Sequence, residues 1–521
     1  MKKYRILLAA LVSLTLTACF DDDSTDADYN RVGEITVTGI DEAYTKIAYT
    51  GDHLQISPTI TTTDAESDLS YQWLLLNTKT GTLNTKGDTI QPEVIGTDRN
   101  LDYEVATTPG TYQVRLLVSQ RSTGYTVYTT TSLTVQTAFS QGFYVLKETT
   151  DGNTDIDELS AVGTTGENLL LQTQGAPMSG KPGAIYTEYN LDYVDPESLD
   201  PSQGNMLLIT TADGHFQKVR TTDLRKIFDR SNILFGTMDA TEKVYAAYET
   251  PMDRAYLLTS SGFRYTTPNG KTTGQYGNPT SETDASSLFA IDIPSYGNTL
   301  FWDAANHNLT TGDYNDNLMP LTYTDLSGED KTQGLCGWQC LHMGYNLLSS
   351  DGVFTTVMED PSGQRYVYLT DVSFSSTYLS AILKAGADSH LAKATSFSTN
   401  GNQAKYIYCV DGGKLYAVNY SDESLPEIPL TLQGIPSGET INFVTNQYWG
   451  KGSGDFDYLI VGTQQGTTYH LYFYEMNGGA PQGAPVKTMQ GTGTVKHVRY
   501  LNTNFNSMYF RFGFNMYSIT D

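Results

Sequence analysis

An all-β fold is predicted by three features of the 521-residue sequence. The chain contains 37 Tyr and 47 Gly but only 17% charged residues, a composition that favours strands and turns over helices. Short apolar runs recur with turn residues between them. A helical period occurs only in brief stretches such as residues 378–384, where four side chains share one helical face: Tyr378, Leu379, Ile382 and Leu383.

Residues 1–18 have the organisation of a signal peptide. Lys2, Lys3 and Arg5 form a basic region, and residues 6–16 form an apolar run of 11 residues. A membrane-spanning helix needs ~20 apolar residues. The run therefore has the length of a signal-peptide core.

Cys19 follows this segment in the sequence Leu-Thr-Ala-Cys, which resembles the lipobox of bacterial lipoproteins. The resemblance implies that Cys19 becomes the lipid-modified first residue, and each buried methylene of the lipid contributes ~0.8 kcal/mol to membrane association. An ordinary cleaved signal peptide with a chance cysteine is the alternative.

Residues 19–33 are predicted to form a flexible tether because they are polar and acidic, with Asp21, Asp22, Asp23 and Asp26 close together. An acidic run directly behind a lipidated cysteine resembles the surface-export signal of Bacteroidota lipoproteins. It implies a position on the outer face of the outer membrane. A plain spacer on a periplasm-facing lipoprotein is the alternative.

The formal net charge of the chain is −26. Nucleic acids and anionic bilayer surfaces both require basic patches on a protein partner. The charge therefore argues against nucleic acid as a partner.

Residues 34–137 are predicted to form an immunoglobulin-like sandwich, since about seven short strands in about 100 residues suit that fold. Trp73 and Tyr112 are interpreted as core residues. Strand-like runs occur at residues 34–38, 53–57, 70–75, 111–118 and 126–135.

Three motifs in this segment resemble PKD domains. Residues 109–114, Pro-Gly-Thr-Tyr-Gln-Val, are similar to a characteristic strand of these domains. Residues 71–73 match their aromatic central strand, and residues 64–68 lie where they carry an acidic loop. With the preceding signal segment, the order of motifs resembles the PKD-like lipoproteins of Bacteroidota. That resemblance implies assembly with a SusC/SusD-type outer-membrane importer.

Residues 138–521 are predicted to form a β-propeller of seven or eight blades. Tight turns flanked by strand-like runs recur about 50 residues apart, which is the length of a four-stranded blade. Two packed sandwiches would supply hairpins without a common period. The count is eight by turns, or seven if the first hairpin belongs to the closing blade. The turn residues are Gly152, Gly214, Gly262, His307, Gly363, Gly412, Gly466 and Gly513.

Three cysteines remain besides Cys19, so at least one is unpaired within a monomer. Cys336 and Cys340 are candidates for a local disulfide, which an oxidising compartment permits. A structural zinc site is not favoured, because it requires four ligands and usually two such pairs.

Four aromatic residues are candidates for ligand binding. Tyr448 and Trp449 precede a Gly-Lys-Gly segment and are predicted to lie in a loop, where an aromatic pair stacks on a sugar face or an apolar side chain. Trp338 lies between the two candidate disulfide cysteines, and Tyr276 lies in a second glycine-containing loop. Packing of these side chains between blades is the alternative.

No catalytic residue and no metal site are assigned, because the sequence contains neither a Gly-x-Ser-x-Gly elbow nor a His-Glu-x-x-His motif. Two acidic runs, residues 151–157 and 313–317, carry oxygens at alternate positions, as calcium loops do. Their sixth positions are Ile156 and Leu318, where an EF-hand requires glycine. Neither run fits, so no cofactor is assigned; both runs are interpreted as solvated turns, and calcium binding is the alternative.

Together these features predict a cell-surface lipoprotein that is a non-catalytic, ligand-binding accessory of a nutrient importer, with a glycan or a peptide as ligand. Two other classes stay open. One is an enzyme: a propeller-fold polysaccharide lyase, glycosidase or peptidase. The other is a purely structural subunit of the importer complex.

The first prediction concerns Cys19. Mass spectrometry of the native protein is expected to find a lipid-modified cysteine as the first residue, in the outer-membrane fraction. An unmodified terminus, or protein recovered from the cytosol, would contradict the surface assignment.

Overall fold

The computed structural model describes most of the chain beyond the tether. The signal segment, Cys19, the tether and the Gly513 turn lie outside the described residues, which are 34–48, 52–77, 80–82, 88–107, 110–197, 199–250, 254–266, 273–279, 290–292, 299–312, 318–323, 327–346, 353–373, 376–402, 404–449 and 456–502. The chain divides into two compact units, Met1–Val135 and Gln136–Asp521. None of the helices in these ranges has the length and apolar character needed to cross a bilayer.

The described strands of the first unit form one five-stranded sheet, in the order β2-β9-β8-β5-β6, and two pairs, β1-β4 and β3-β7. A single 3-10 turn, Glu66–Asp68, precedes β5. The strands are β1 (Ile35–Thr38), β2 (Ala43–Ile47), β3 (His53–Ile56), β4 (Thr59–Thr62), β5 (Leu69–Leu76), β6 (Glu93–Gly96), β7 (Leu101–Glu104), β8 (Gly110–Gln120) and β9 (Thr126–Gln136).

Trp73 is the centre of the core of this unit, as predicted. Its side chain is fully buried among Leu54, Leu116 and Leu133. Its indole Nε1–H donates a hydrogen bond to the carbonyl of Asp98 at 3.0 Å. The indole thus contributes apolar area to the core without leaving a buried donor unpaired.

The second unit is almost entirely β-structure. Its two described helices are short: α1 (Leu169–Gln174) and α2 (His390–Lys393). The strands are β10 (Gly142–Glu148), β11 (Thr154–Ser160), β12 (Thr165–Gly166), β13 (Pro182–Val194), β14 (Pro201–Thr211), β15 (Phe216–Arg220), β16 (Lys226–Phe228), β17 (Val244–Thr250), β18 (Arg254–Thr259), β19 (Gly262–Tyr265), β20 (Ala290–Asp292), β21 (Thr299–Asp303), β22 (Asn308–Gly312), β23 (Leu318–Pro320), β24 (Gln339–Asn346), β25 (Val353–Glu359), β26 (Arg365–Ser373), β27 (Ser376–Lys384), β28 (Ser396–Thr399), β29 (Tyr406–Asp411), β30 (Lys414–Asn419), β31 (Glu427–Leu430), β32 (Thr440–Trp449), β33 (Phe456–Gln465), β34 (Thr468–Asn477), β35 (Ala480–Pro481), β36 (Lys487–Thr492) and β37 (Thr494–Leu501).

Seven antiparallel sheets follow one another along the described part of this unit, and they define the blades of a β-propeller. In six of these sheets the chain starts at the innermost strand and proceeds outward from the axis. They are β13 to β16, β17 to β19, β20 to β23, β24 to β27, β28 to β31, and β32 to β34 with β36. The remaining sheet has the order β37-β10-β11-β12. The first predicted hairpin therefore belongs to the closing blade, and the described residues form seven blades.

The predicted turn residues occupy the same place in every blade. Each connects the second and third strands from the axis, and each has a positive φ, the left-handed conformation that such turns require. The angles are 78° at Gly152, 85° at Gly214, 120° at Gly262, 55° at His307, 84° at Gly363, 56° at Gly412 and 62° at Gly466.

The innermost strands contact each other in a closed ring. Their order around the ring is β13, β17, β20, β24, β28, β32 and β37, with β37 again in contact with β13. Closure depends on β37, which pairs antiparallel with β10 from Gly142↔Leu501 to Glu148↔Thr494. Strands from two distant parts of the chain thus build one blade.

A buried polar cluster joins the closing blade to its neighbour. Asp157 on β11 is fully buried and lies 2.7 Å from the ammonium of Lys147. Its carboxylate accepts hydrogen bonds from the backbone N–H of Asn168 at 2.6 Å and from the hydroxyl of Tyr469 on β34 at 2.6 Å. Tyr469 belongs to the preceding blade in the ring, so this bond crosses the junction that closure creates.

Asparagines hold the innermost strands of three consecutive blades together. The Asn346 amide donates to the carbonyl of Asn400 at 2.7 Å. Asn446 accepts from the backbone N–H of Gly401 at 2.7 Å and donates to Asp457 at 2.8 Å. Because all three asparagines are buried, the blades here are fastened by polar groups as well as by apolar packing.

The helical period at residues 378–384 does not correspond to a helix. These residues lie in strand β27, which pairs with β26 along its whole length. The register shifts between Leu369 and Thr370, so Ser380 is left over as a bulge. A bulge interrupts the two-residue alternation of a strand and produces an apolar spacing that resembles a helix.

Removal of one hydroxyl is expected to weaken the closure. Tyr469→Phe leaves a buried carboxylate without one donor and should lower the free energy of unfolding by about 1–3 kcal/mol. Urea unfolding followed by tryptophan fluorescence measures this, since three of the four tryptophans lie in the second unit. Tyr378→Phe, at a side chain that is 49% exposed, is the control. A loss no larger than that of the control would show that closure does not depend on this bond.

Candidate functional site

Trp338 is presented by a short turn immediately before the innermost strand β24. Gly337 has a φ of 78°, and the N–H of Trp338 donates to the carbonyl of Leu335 at 3.1 Å. Buried Leu335 and Cys340 anchor the two ends of the turn. The turn therefore holds the indole in a fixed place at the surface of the blade.

The indole packs against the outer strand β26. Its ring centroid lies 5.3 Å from that of Tyr366 and 6.3 Å from that of Tyr368. Trp338, Tyr366 and Tyr323 are all partly exposed and rest on the apolar cluster below them. These three aromatic residues are called the Trp338 patch.

Polar groups border the Trp338 patch. Asp360, in the turn between β25 and β26, interacts with the Tyr366 hydroxyl, and burial followed by the charge of Asp360 raises the pKa of Tyr366. A hydrogen bond from Ser362 lowers the pKa of Asp360, so this carboxylate is ionised at neutral pH. Lys331 lies near the same tyrosine. Flat aromatic faces beside a carboxylate and an ammonium suit a ligand with both apolar faces and polar edges.

Two of the four aromatic residues predicted as ligand-binding are buried instead. Trp449 is only 6% exposed and is the last residue of β32, not part of a loop. The centroid of its ring lies 5.6 Å from that of Tyr500, and the ring packs into the core beside the closing blade. Tyr448, its neighbour in the strand, is partly exposed. The following residues, 450–455, lie outside the described ranges.

Tyr276 is fully buried, so the expectation of an exposed loop is also wrong there. Its hydroxyl donates to Glu188 at 2.8 Å, and the ammonium of Lys218 lies 4.5 Å from its ring centroid. Glu188 and Lys218 are themselves buried as an ion pair. The tyrosine supplies a hydrogen bond that this pair needs away from water.

The predicted aromatic residues do not converge on one surface. Trp338 precedes the start of an innermost strand, whereas Tyr448 and Trp449 lie at the end of another. Every innermost strand follows the outermost strand of the sheet before it, so all of them run in the same direction. The two positions are therefore at opposite ends of the propeller.

The predicted disulfide is absent, because no bond joins Cys336 to Cys340. Cys340 is buried within β24, where its thiol donates to the carbonyl of His342 at 3.7 Å, whereas Cys336 is exposed in the turn before it. Their side chains point into different surroundings. Cys409 is also a free, buried thiol.

The first acidic run is not a calcium loop. Asp151 is exposed in a turn, but Asp155 and Asp157 are buried in strand β11. Asp155 accepts from the N–H groups of Leu170 and Leu171 at the start of α1, and Asp157 is engaged by Lys147. The second run, residues 313–317, lies outside the described ranges. Within those ranges, no cluster of three or more His, Cys, Asp or Glu side chains could hold a metal ion.

His342 lies on the innermost strand β24 and is buried. Its Nε2 is 2.8 Å from the hydroxyl of Thr399 on the neighbouring innermost strand. The two strands approach closely here, since a Cβ at Gly344 would lie 2.0 Å from that hydroxyl oxygen. Burial lowers the pKa of His342 to about 3, so the imidazole is neutral and serves packing between blades.

Sequence reasoning did not select Tyr366 as a site residue. Tyr366 and Tyr368 are two residues apart and therefore lie on the same face of β26. The sequence feature that could have indicated the site was this pair of tyrosines, on an outer strand of the blade that carries Trp338. The pair could not be recognised from the sequence alone, because that requires knowing that the turn before β24 folds back over β26.

The sheet order and the ring of innermost strands define the second unit as a β-propeller, joined to a sandwich. Residues 19–182 match the model of the PKD-like family, the family that the sequence resemblance implied. The match extends beyond Val135 and includes β10, β11, β12 and α1. No curated protein matches the chain.

Solved structures similar to this chain share little sequence with it. A quinoprotein alcohol dehydrogenase-like protein from Bacteroides thetaiotaomicron is 14% identical, with 88% of this chain and 97% of that chain covered and a TM-score of 0.39. An auxiliary nutrient binding protein from the same organism is 10% identical, with coverages of 82% and 93% and a TM-score of 0.29. Virginiamycin B lyase from Staphylococcus aureus is 10% identical, with coverages of 62% and 92% and a TM-score of 0.33. Because these scores are below 0.5, the fold assignment rests on the sheet order described above.

The buried histidine predicts a sensitivity to acid. The unfolded chain binds a proton at His342 below pH 6.5, whereas the folded protein does not until about pH 3. The free energy of unfolding should therefore fall as the pH decreases from 6.5 towards 3, by about 2 kcal/mol at pH 5 from this residue.

Urea unfolding at pH 7 and pH 5 measures this loss. His342→Gln should reduce it, because glutamine does not titrate. His215→Gln, at a side chain that is 63% exposed, should leave it as in the wild type. Equal losses of unfolding free energy between pH 7 and pH 5 in all three proteins would show that His342 is not the cause of the acid sensitivity.

Proposed function

We propose that the protein is a lipid-anchored component of the outer cell surface that captures a glycan or a peptide and passes it to a SusC/SusD-type importer. Attachment to the outer membrane is supported by the lipobox at Cys19 and the acidic run behind it. The importer as partner is supported by the resemblance to PKD-like lipoproteins. Capture of a ligand is supported by the Trp338 patch.

The Trp338 patch is the observation that carries the proposal. An indole is costly to leave partly in water when a core is available, yet here a glycine turn with a positive φ holds it at the surface. A second aromatic ring lies 5.3 Å away, and ionised Asp360 interacts with that ring's hydroxyl. Rigid aromatic groups beside fixed polar groups are characteristic of ligand-binding surfaces.

The chemistry of the patch indicates binding rather than turnover. Asp360 is ionised and accepts hydrogen bonds from the backbone N–H groups of Ser362 and Gln364 at 2.8 and 3.0 Å. A carboxylate with a lowered pKa is a poor general base, because its affinity for a proton is small. Its suitable role is to accept hydrogen bonds from hydroxyl or amide groups of a ligand.

Substitution of Trp338 tests the proposal. Trp338→Ala is expected to weaken ligand binding at least tenfold, which corresponds to about 1.4 kcal/mol, because a stacking surface is lost. Trp338→Phe should keep part of the affinity. Affinity electrophoresis on a panel of polysaccharides, with calorimetry on a peptide panel, measures both.

Phe235→Ala is the matched control, since that aromatic side chain is 55% exposed and belongs to a different part of the propeller. Unchanged affinity in Trp338→Ala would remove the patch from the proposal. Release of shortened products from any glycan or peptide would replace capture with catalysis. Failure of the protein to co-purify with the importer from outer membranes would remove the importer as partner.

A further inference from the structure

The outward face of the five-stranded sheet in the first unit has an unusual composition. Burial alternates along β8 and β9, and one set of side chains fills the core. The opposite set points away from it and includes Gln113, Arg115, Tyr128, Thr130 and Ser132. We call these five residues the Tyr128 face.

Pairing brings these residues into adjacent rows. Gln113 is opposite Ser132, and Arg115 is opposite Thr130. Leu117, partly exposed, is opposite Tyr128. Four residues of a strand cover about 14 Å, so the rows form a flat surface long enough for more than one sugar ring.

Tyr128 is 67% exposed, although it lies within a regular strand. The guanidinium of Arg115 lies 5.0 Å from its ring centroid. Arg115 also donates from Nη2 to the Gln113 side-chain oxygen at 3.1 Å. The three side chains hold one another in position, so the ring is preorganised: Arg115 lies over one side of it, and most of its surface stays exposed.

An open depression of about 580 Å³ continues this surface. Its wall consists largely of neutral hydroxyl and amide groups, with one carboxylate and one leucine side chain. The lining includes Glu42, Gln113, Thr130 and Ser132.

We propose that the Tyr128 face and the adjoining depression bind a chain of neutral sugars, at a site separate from the Trp338 patch. The apolar side of a sugar ring stacks on Tyr128, and its hydroxyl groups exchange hydrogen bonds with Gln113, Thr130 and Ser132. Amides and hydroxyls both donate and accept, as sugar hydroxyls do.

The charges favour a neutral ligand. Glu42 in the wall and the net charge of −26 repel anions. The guanidinium of Arg115 is already held over a ring and on an amide. An extended peptide would bind to a free sheet edge through its backbone, whereas this site lies on the face of paired strands.

Affinity electrophoresis of the full-length protein in gels containing soluble starch, mixed-linkage β-glucan, xylan or galactomannan tests the proposal. Tyr128→Ala and Gln113→Ala are each expected to weaken retardation at least fivefold in one or more of these gels. Gln55→Ala, at an exposed glutamine on β3 in the other part of the sandwich, is the control for Gln113→Ala. Both target side chains are exposed, so urea unfolding should confirm that the variants are as stable as the wild type.

Salt dependence provides a second measurement. Binding of a neutral glycan should change less than twofold between 50 mM and 500 mM NaCl, because no ion pair is formed with the ligand. A steep decrease with salt would overturn the proposal of a neutral ligand.

The outcomes separate this site from the Trp338 patch. Loss of binding in Tyr128→Ala and Gln113→Ala, with Trp338→Ala unchanged, supports this site and contradicts the proposed function of the patch. Retardation within twofold of wild type in both variants overturns the present inference whatever Trp338→Ala does. It is also overturned if the wild type is retarded in none of the gels, or if only peptide binding is affected.

Discussion

The pairing of β37 with β10 is the constraint on which the second unit depends. Without this pairing the inner edge of β10 would have no partner strand, and free edges invite pairing with other chains. Closure joins residues 142–148 to residues 494–501. The entropic cost of closing so long a loop rises only slowly with its length, so the contacts made at the junction can offset it.

Polar groups make this closure specific. Apolar packing between blades tolerates small shifts, because contact area changes little when similar side chains slide past one another. The Asp157 cluster does not tolerate them, since a displaced Tyr469 or Lys147 would leave a buried charge without its partners. Buried Asn346, Asn400 and Asn446 act in the same way. Much of the buried polar chemistry described in the propeller is therefore structural.

The turn positions and the fold class were predictable because they depend on local chemistry. Gly152 and Gly412 mark places where the chain needs a positive φ, and that requirement is visible in the sequence. Exposure of an aromatic side chain is set by the tertiary structure, so Trp449 and Tyr276 were indistinguishable from Trp338 in sequence. The bulge at Ser380 shows a further limit, because one extra residue in a strand can produce the apolar spacing of a helix.

The two proposed sites lead to a common expectation about the ligand. Each presents only part of a binding pocket: an aromatic surface with a few polar groups, open to solvent and unable to enclose a small molecule. A short ligand would bury little area at either one. A polymer covers more of each open surface than a single unit does, and therefore buries more area at either site. Open aromatic surfaces on separate units of one chain thus suit a long, repetitive ligand better than a single sugar or amino acid.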